Sequence, residues 1–126
     1  MIDPTVAAIE AWMKALRGAG LKAFDEVPQK KAYPYFALTS VQAIPEEDDC
    51  SRGTAVVLQF SAWNDKPDLR TLGPAVFAAR EALRDDLVLG GHTVVLQDLT
   101  DTLMTKDPAT GHAQAVMTLR LETEPV

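Results

Sequence analysis

Near the start of the chain, apolar residues recur at three- and four-residue spacing. Ile2, Val6, Ile9, Met13 and Leu16 form the series with Trp12 beside it, while Glu10, Lys14 and Arg17 fall elsewhere. This is the pattern of an amphipathic helix. Asp3 before Pro4 predicts its start, an N-cap followed by proline at the first helical position, where the missing N–H costs nothing. Gly18 and Gly20 predict its stop. Leu21 to Val27 then reads as a short extended piece, Pro28 and Pro34 favour extended neighbours, and Tyr35 to Ile44 is rich in strand formers. "PEEDDCSRG" has the composition of a loop. "TAVVLQFSAW" alternates with Val56, Leu58 and Phe60 on one face and Gln59 and Ser61 on the other, predicting a strand antiparallel to the previous one.

The second half repeats the scheme. Leu69, Leu72, Val76, Ala79 and Leu83 sit at helical spacing, predicting a helix over 69 to 87 capped by Asp68 or Thr71 and carrying Gly73-Pro74 in its first part. After Gly90-Gly91, "HTVVLQDLTDTLM" and "AQAVMTLRLE" read as two strands joined around "KDPATG". In the last of these, Ala113, Ala115, Met117, Leu119 and Leu121 form a core face and Gln114, Thr118, Arg120 and Glu122 a wet one, broken only by Val116. Its partner changes parity between Val94 and Leu96 on one side and Leu99 and Leu103 on the other, which predicts a bulge or a two-sided strand. The sum is an α+β fold, a two-layer domain with a mostly antiparallel four- or five-stranded sheet and two helices on one face. No repeat or linker divides it, so residues 1–126 are expected to form one domain.

Charge narrows the functions. Eighteen acids against twelve Lys and Arg give a net charge of −6, and no basic cluster exceeds Lys30-Lys31, so an electrostatic grip on nucleic acid is not expected. Cys50 is the one cysteine, which excludes an intrachain disulfide and a thiolate cluster. The opening residues lack a basic segment followed by an apolar core, and no window reaches the roughly 18 apolar residues that span a bilayer. The expectation is a soluble chain that is not exported by itself and meets no membrane.

Two clusters invite a chemical reading. Asp107 and His112 flank "PATG", and His92 begins the partner strand of the same hairpin, so the histidines are candidates to be neighbours. Zinc, however, needs about three protein ligands with supporting partners, whereas Asp, Pro and Gly are what a turn requires, so a turn is the expectation. Glu46, Glu47, Asp48 and Asp49 lack the alternate spacing and mid-loop glycine of a calcium loop, and read as a solvated loop. There is no G-x-S-x-G, no reactive-cysteine signature and no glycine-rich phosphate loop between strand and helix. No catalytic residue, metal ligand or cofactor is expected. A small enzyme or ligand-binding domain is the alternative, since such a sheet is a suitable scaffold. Tyr33, Tyr35 and Trp63 are aromatics of the kind that anchor interfaces.

"FDEVPQKKAYPYFAL", "SAWND", "AAREALRDDLVLGGH" and "TKDPATGHAQAVMTLRLETE" together resemble a family of small phage tail-completion proteins, itself similar to the tail terminators that cap the tail tube as rings. The resemblance runs from the first helix to Glu124. It is carried by Asp25, Pro28, Pro34, Tyr35, Trp63, Leu83, Gly91, Asp107, His112 and the final strand with Glu122 or Glu124. Where the family often places glycine after the Pro-Tyr strand this chain has Thr39 and Ser40, which bears on the twist of that strand.

The resemblance implies a non-enzymatic virion protein, made in the cytoplasm of a bacterial producer and placed at the head-proximal end of the tail of a phage or gene transfer agent. It implies self-assembly into a hexameric ring between the tail tube protein and a head completion or connector protein. DNA would pass the acidic ring without specific binding. The contact regions expected on that basis are Tyr35 and Trp63 at strand ends, the acidic stretch Glu46, Glu47, Asp48 and Asp49, and the loop around Lys106 and Asp107.

Overall fold

The computed structural model describes residues 3–47 and 52–126; the expectations for Ile2, Asp48, Asp49 and Cys50 lie outside them. The elements are α1 (Pro4–Gly18), β1 (Ala23–Phe24), β2 (Tyr35–Glu47), β3 (Arg52–Trp63), α2 (Leu69–Ala82), β4 (His92–Lys106) and β5 (Ala113–Pro125). The strands form one sheet in the order β1-β2-β3-β5-β4. β1 runs parallel to β2, and all other pairings are antiparallel. The α+β class and the mostly antiparallel sheet are as expected.

Local chemistry sets the helix ends. Asp3 Oδ1 accepts from the Thr5 N–H at 2.8 Å and from the Thr5 hydroxyl at 2.7 Å, fixing the start of α1. At the other end Gly20 has φ 81°, which lets its N–H reach the Arg17 carbonyl and the Leu21 N–H reach the Leu16 carbonyl, each at 3.0 Å. This 6→1 and 5→2 pair is a Schellman stop. The Arg17 guanidinium then holds β1 through the Ala23 carbonyl.

The buried side of α1 differs from the expected stripe. Ala7, Ala8, Ala11, Trp12 and Leu16 are buried, whereas Val6 is exposed. At ~100° per residue Val6 lies about 200° from Ala8, on the far side of the helix. Small residues set the face because they allow close approach to the sheet, and the larger Ile9 and Met13 pack at its margin.

One apolar cluster joins α1, α2 and the sheet. Val56, Leu58, Phe60 and Ala62 of β3 sit beside Leu121, Leu119, Met117 and Ala115 of β5, and all are fully buried with Trp12, Leu16, Leu72 and Ala79. Trp12 lies 5.1 Å from Phe60, centroid to centroid.

Three further boundaries depart from expectation. The acidic loop is shorter than its composition suggests: Pro45 pairs with Thr54, Glu46 with Gly53 and Glu47 with Arg52. Proline is tolerated there because β1 covers only residues 36 and 37 and, among the described residues, no other strand pairs with that edge of β2. At Gly53 an added Cβ would lie 3.2 Å from the Glu46 carbonyl and 3.3 Å from that of Thr123, so glycine lets three strands close up. Second, α2 stops at Ala82 rather than 87. Asp68 caps its start through the Arg70 N–H at 2.8 Å. Beyond Leu83, the Gln97 side chain captures the chain, donating to the carbonyls of Leu83 and Asp85 and accepting from the Leu87 N–H. The four-residue step from Leu83 to Leu87 is therefore an anchored loop with both residues buried. Third, β2 carries a register shift between Leu38 and Ser40, at the Thr39-Ser40 departure. The Thr39 hydroxyl donates to the Gln59 carbonyl across it.

The parity change in β4 corresponds to two register shifts, between Val94 and Leu96 and between Leu99 and Thr102. Between them Gln97 and Leu99 fall on the core side and Leu96 and Asp98 on the opposite face, which Leu103 beyond the second shift shares.

Candidate assembly surfaces

The Asp107 and His112 stretch is a turn in every hydrogen bond. The Asp107 N–H donates to the His112 carbonyl at 2.8 Å, and the Gly111 N–H, at φ 75°, donates to the Asp107 carbonyl at 2.7 Å. The Asp107 carboxylate accepts from the Thr110 hydroxyl, which in turn accepts from the His112 N–H. The two histidines are not neighbours, contrary to the candidate placement: His92 opposes Pro125 at one end of the hairpin and His112 lies beyond Lys106 at the other. With ~3.3 Å per residue along the twelve steps of β5 between the paired ends, roughly 35–40 Å separates them. Among the described residues no group of three or more His, Cys, Asp or Glu side chains is placed to hold a metal.

Tyr35, Trp63, Lys106 and Asp107 come together at that same end of the sheet. Tyr35 pairs with Trp63 on β3, Trp63 with Gln114 on β5, and Gln114 with Thr105 on β4. Tyr35 also packs against Tyr33 at 5.3 Å and Phe24 at 6.4 Å, with the Lys31 ammonium 5.5 Å from its ring centre. Burial, and secondarily Tyr33, push the Tyr35 hydroxyl above its usual pKa of 10.0. The segment after β3 fastens this end, the Asn64 N–H donating to the Ala113 carbonyl and the Ala113 N–H to that of Lys66.

Glu46 and the backbone of Glu47 lie at the opposite end. Arg120 of β5 reaches Glu46 at 3.0 Å and Glu122 at 3.6 Å, and its cross-strand neighbour on β4 is Asp98. The sheet face turned away from the core cluster is mixed, with Ser40, Gln42, Gln59 and Thr118 beside Ile44, Val57, Val116, Leu96 and Leu103, and at its acidic end it holds one guanidinium among carboxylates. Sequence reasoning missed Arg120 as a hub, since only the register brings Glu46 to it across 74 positions.

It also missed the outer strand β4, whose Val95, Leu96 and Leu103 are exposed apolar residues. The change of parity was the available signal. Surface depressions between described residues lie beside α2 and β4, lined by Phe77, Arg80 and Leu99 among others, and at the acidic end beside Gly53.

The sequence model of the family described as "Tail completion protein gp17" matches residues 6–124. Among solved structures, a chain of the "Virion of native gene transfer agent (GTA) particle" superposes with TM-score 0.77 and 20% identity, over 96% of this chain and 94% of that one. No curated protein sequence matches.

Proposed function

This chain belongs to the tail completion protein gp17 family, and on that premise we propose that it is a tail terminator, which closes the tail tube as a ring and joins it to the head. At the coarser level it is a structural protein of a phage-type tail and not an enzyme. The match of the family across nearly the whole chain carries the reading. In it, residues 1–126 act as one terminator domain in a hexamer at the head-proximal end of the virion tail, of a phage or of a gene transfer agent. The tail tube protein lies on one side and a head completion or connector protein on the other.

Two features of the molecule support these finer points. A closed ring needs heterologous contacts, in which one surface meets a different one on the next copy. The candidate contacts that the structure describes are separated in that way, with Tyr35, Trp63, Lys106 and Asp107 at one end of the sheet and Glu46 and the backbone of Glu47 at the other. The acidic face around Arg120 supports passage of DNA without binding, because carboxylates repel the phosphate backbone.

Deleting the gene in the producing strain tests the proposal. Tails of uncontrolled length, or finished heads and tails that stay apart, are expected; normal particles would refute it.

A further inference from the structure

We propose that the outer edge of β4 is covered by the free edge of β2 from a second copy of this chain, so that neighbouring sheets join into one antiparallel sheet. The inference rests on the ring reading above and names the surfaces that close it.

Edge strands present unpaired N–H and C=O groups, and proteins that keep such an edge free protect it with lysine, proline or charge. From Thr93 to Thr105, β4 has no Lys, Arg or Pro, and its charges are Asp98 and Asp101. It instead exposes Val95 at 56%, Leu96 at 50% and Leu103 at 62%. This composition fits a covered edge.

The occupant follows from the topology. β2, β3, β5 and β4 are joined by three antiparallel pairings, so the two outermost long strands run in opposite directions. A copy placed beside β4 in the same orientation therefore brings its β2 alongside as an antiparallel partner, the arrangement of strand addition at a sheet edge. The free parts also lie at matching heights. Leu38 is level with Thr102 through Phe60 and Met117, and Ile44 with Leu96 through Ala55 and Glu122, so the joint ends before Pro45. Thus an apolar residue of the incoming edge meets the exposed apolar part of β4. Because the edges differ and lie on opposite sides of one sheet, the contact is heterologous and repeats around a ring.

A disulfide pair reads this joint directly. Within one copy, three strand spacings of ~4.8 Å put positions 44 and 96 about 14 Å apart, too far for a disulfide. In a Cys50→Ser background, Ile44→Cys with Leu96→Cys should give, on mild oxidation, a ladder of covalent multimers, while each single variant stops at dimers. The pair is examined both in particles that carry the protein and in the concentrated purified protein. A ladder extending beyond dimers is the expected result. If particles retain the protein as a ring but neither preparation gives a ladder, the edge joint is overturned and the ring stands. If the unsubstituted protein is absent from the tail end of the particles, the ring reading falls with it. As a second variant, Val95→Lys with Leu96→Lys should keep the monomer's melting temperature and abolish assembly; normal assembly would also overturn the joint.

Discussion

Replacing Gln97 by leucine removes three hydrogen bonds with little change in side-chain volume. Its Nε2 donates to the Leu83 carbonyl at 2.7 Å and the Asp85 carbonyl at 2.8 Å, and its Oε1 accepts from the Leu87 N–H at 2.8 Å. The bonds to Leu83 and Leu87 are partly buried and that to Asp85 is exposed. With a net contribution of about 0.5–1.5 kcal/mol per bond, weighted to the upper part for the two buried ones, the expected loss is about 2–3 kcal/mol. For a domain of this size that corresponds to a fall of about 6–15 °C in melting temperature. Denaturant unfolding measures the first quantity, and hydrogen exchange should show the Leu87 amide losing protection before the strands do. Gln97→Glu should be at least as damaging, since it keeps the bond to Leu87 but sets a charged oxygen against two carbonyls. A loss below about 0.5 kcal/mol for Gln97→Leu, or a Leu87 amide that stays protected, would refute the anchoring role.

Gly53→Ala should destabilise by about 1–3 kcal/mol, because its new Cβ meets backbone oxygens of Glu46 and Thr123, which would have to shift within paired strands; an unchanged denaturation midpoint would contradict the close approach of the strands. Asp68→Ala should lower the melting temperature at neutral pH through loss of the α2 cap. Hydrogen bonds from the Arg70 N–H and side chain hold the Asp68 pKa below 3.8, so the cap's contribution is present above pH 3.8 and lost as pH falls through the lower folded value. The gap between wild type and variant should accordingly be flat above that pH and close beneath it.

Much of the fold was legible because β3 and β5 alternate cleanly and Asp3-Pro4, Gly20 and the "DPATG" turn carry their own stop and start chemistry. Legibility failed where the sequence pattern and the burial diverge. In α1 the buried stripe is built on alanines, which carry little hydropathic weight, so the spacing of the larger residues points Val6 to a face it does not occupy. Gln97 reads as an outward polar residue in an alternating strand, yet two register shifts turn it inward to meet the end of α2. Pro45 and Glu46 have loop composition but pair as strand, because an edge without a neighbour tolerates proline. Of the candidate contacts, the nearness of Tyr35 to Trp63 depends on strand register, which no local pattern states. Arg120 and the β4 edge were invisible for the same reason.

Imaging the tails of the producing particles by cryo-electron microscopy tests the central claim most directly. The terminator reading predicts a closed ring of this chain, six copies, between the last tail tube layer and the head connector. Density for the chain elsewhere in the particle, or a tail end whose ring is built by a different protein, would contradict it.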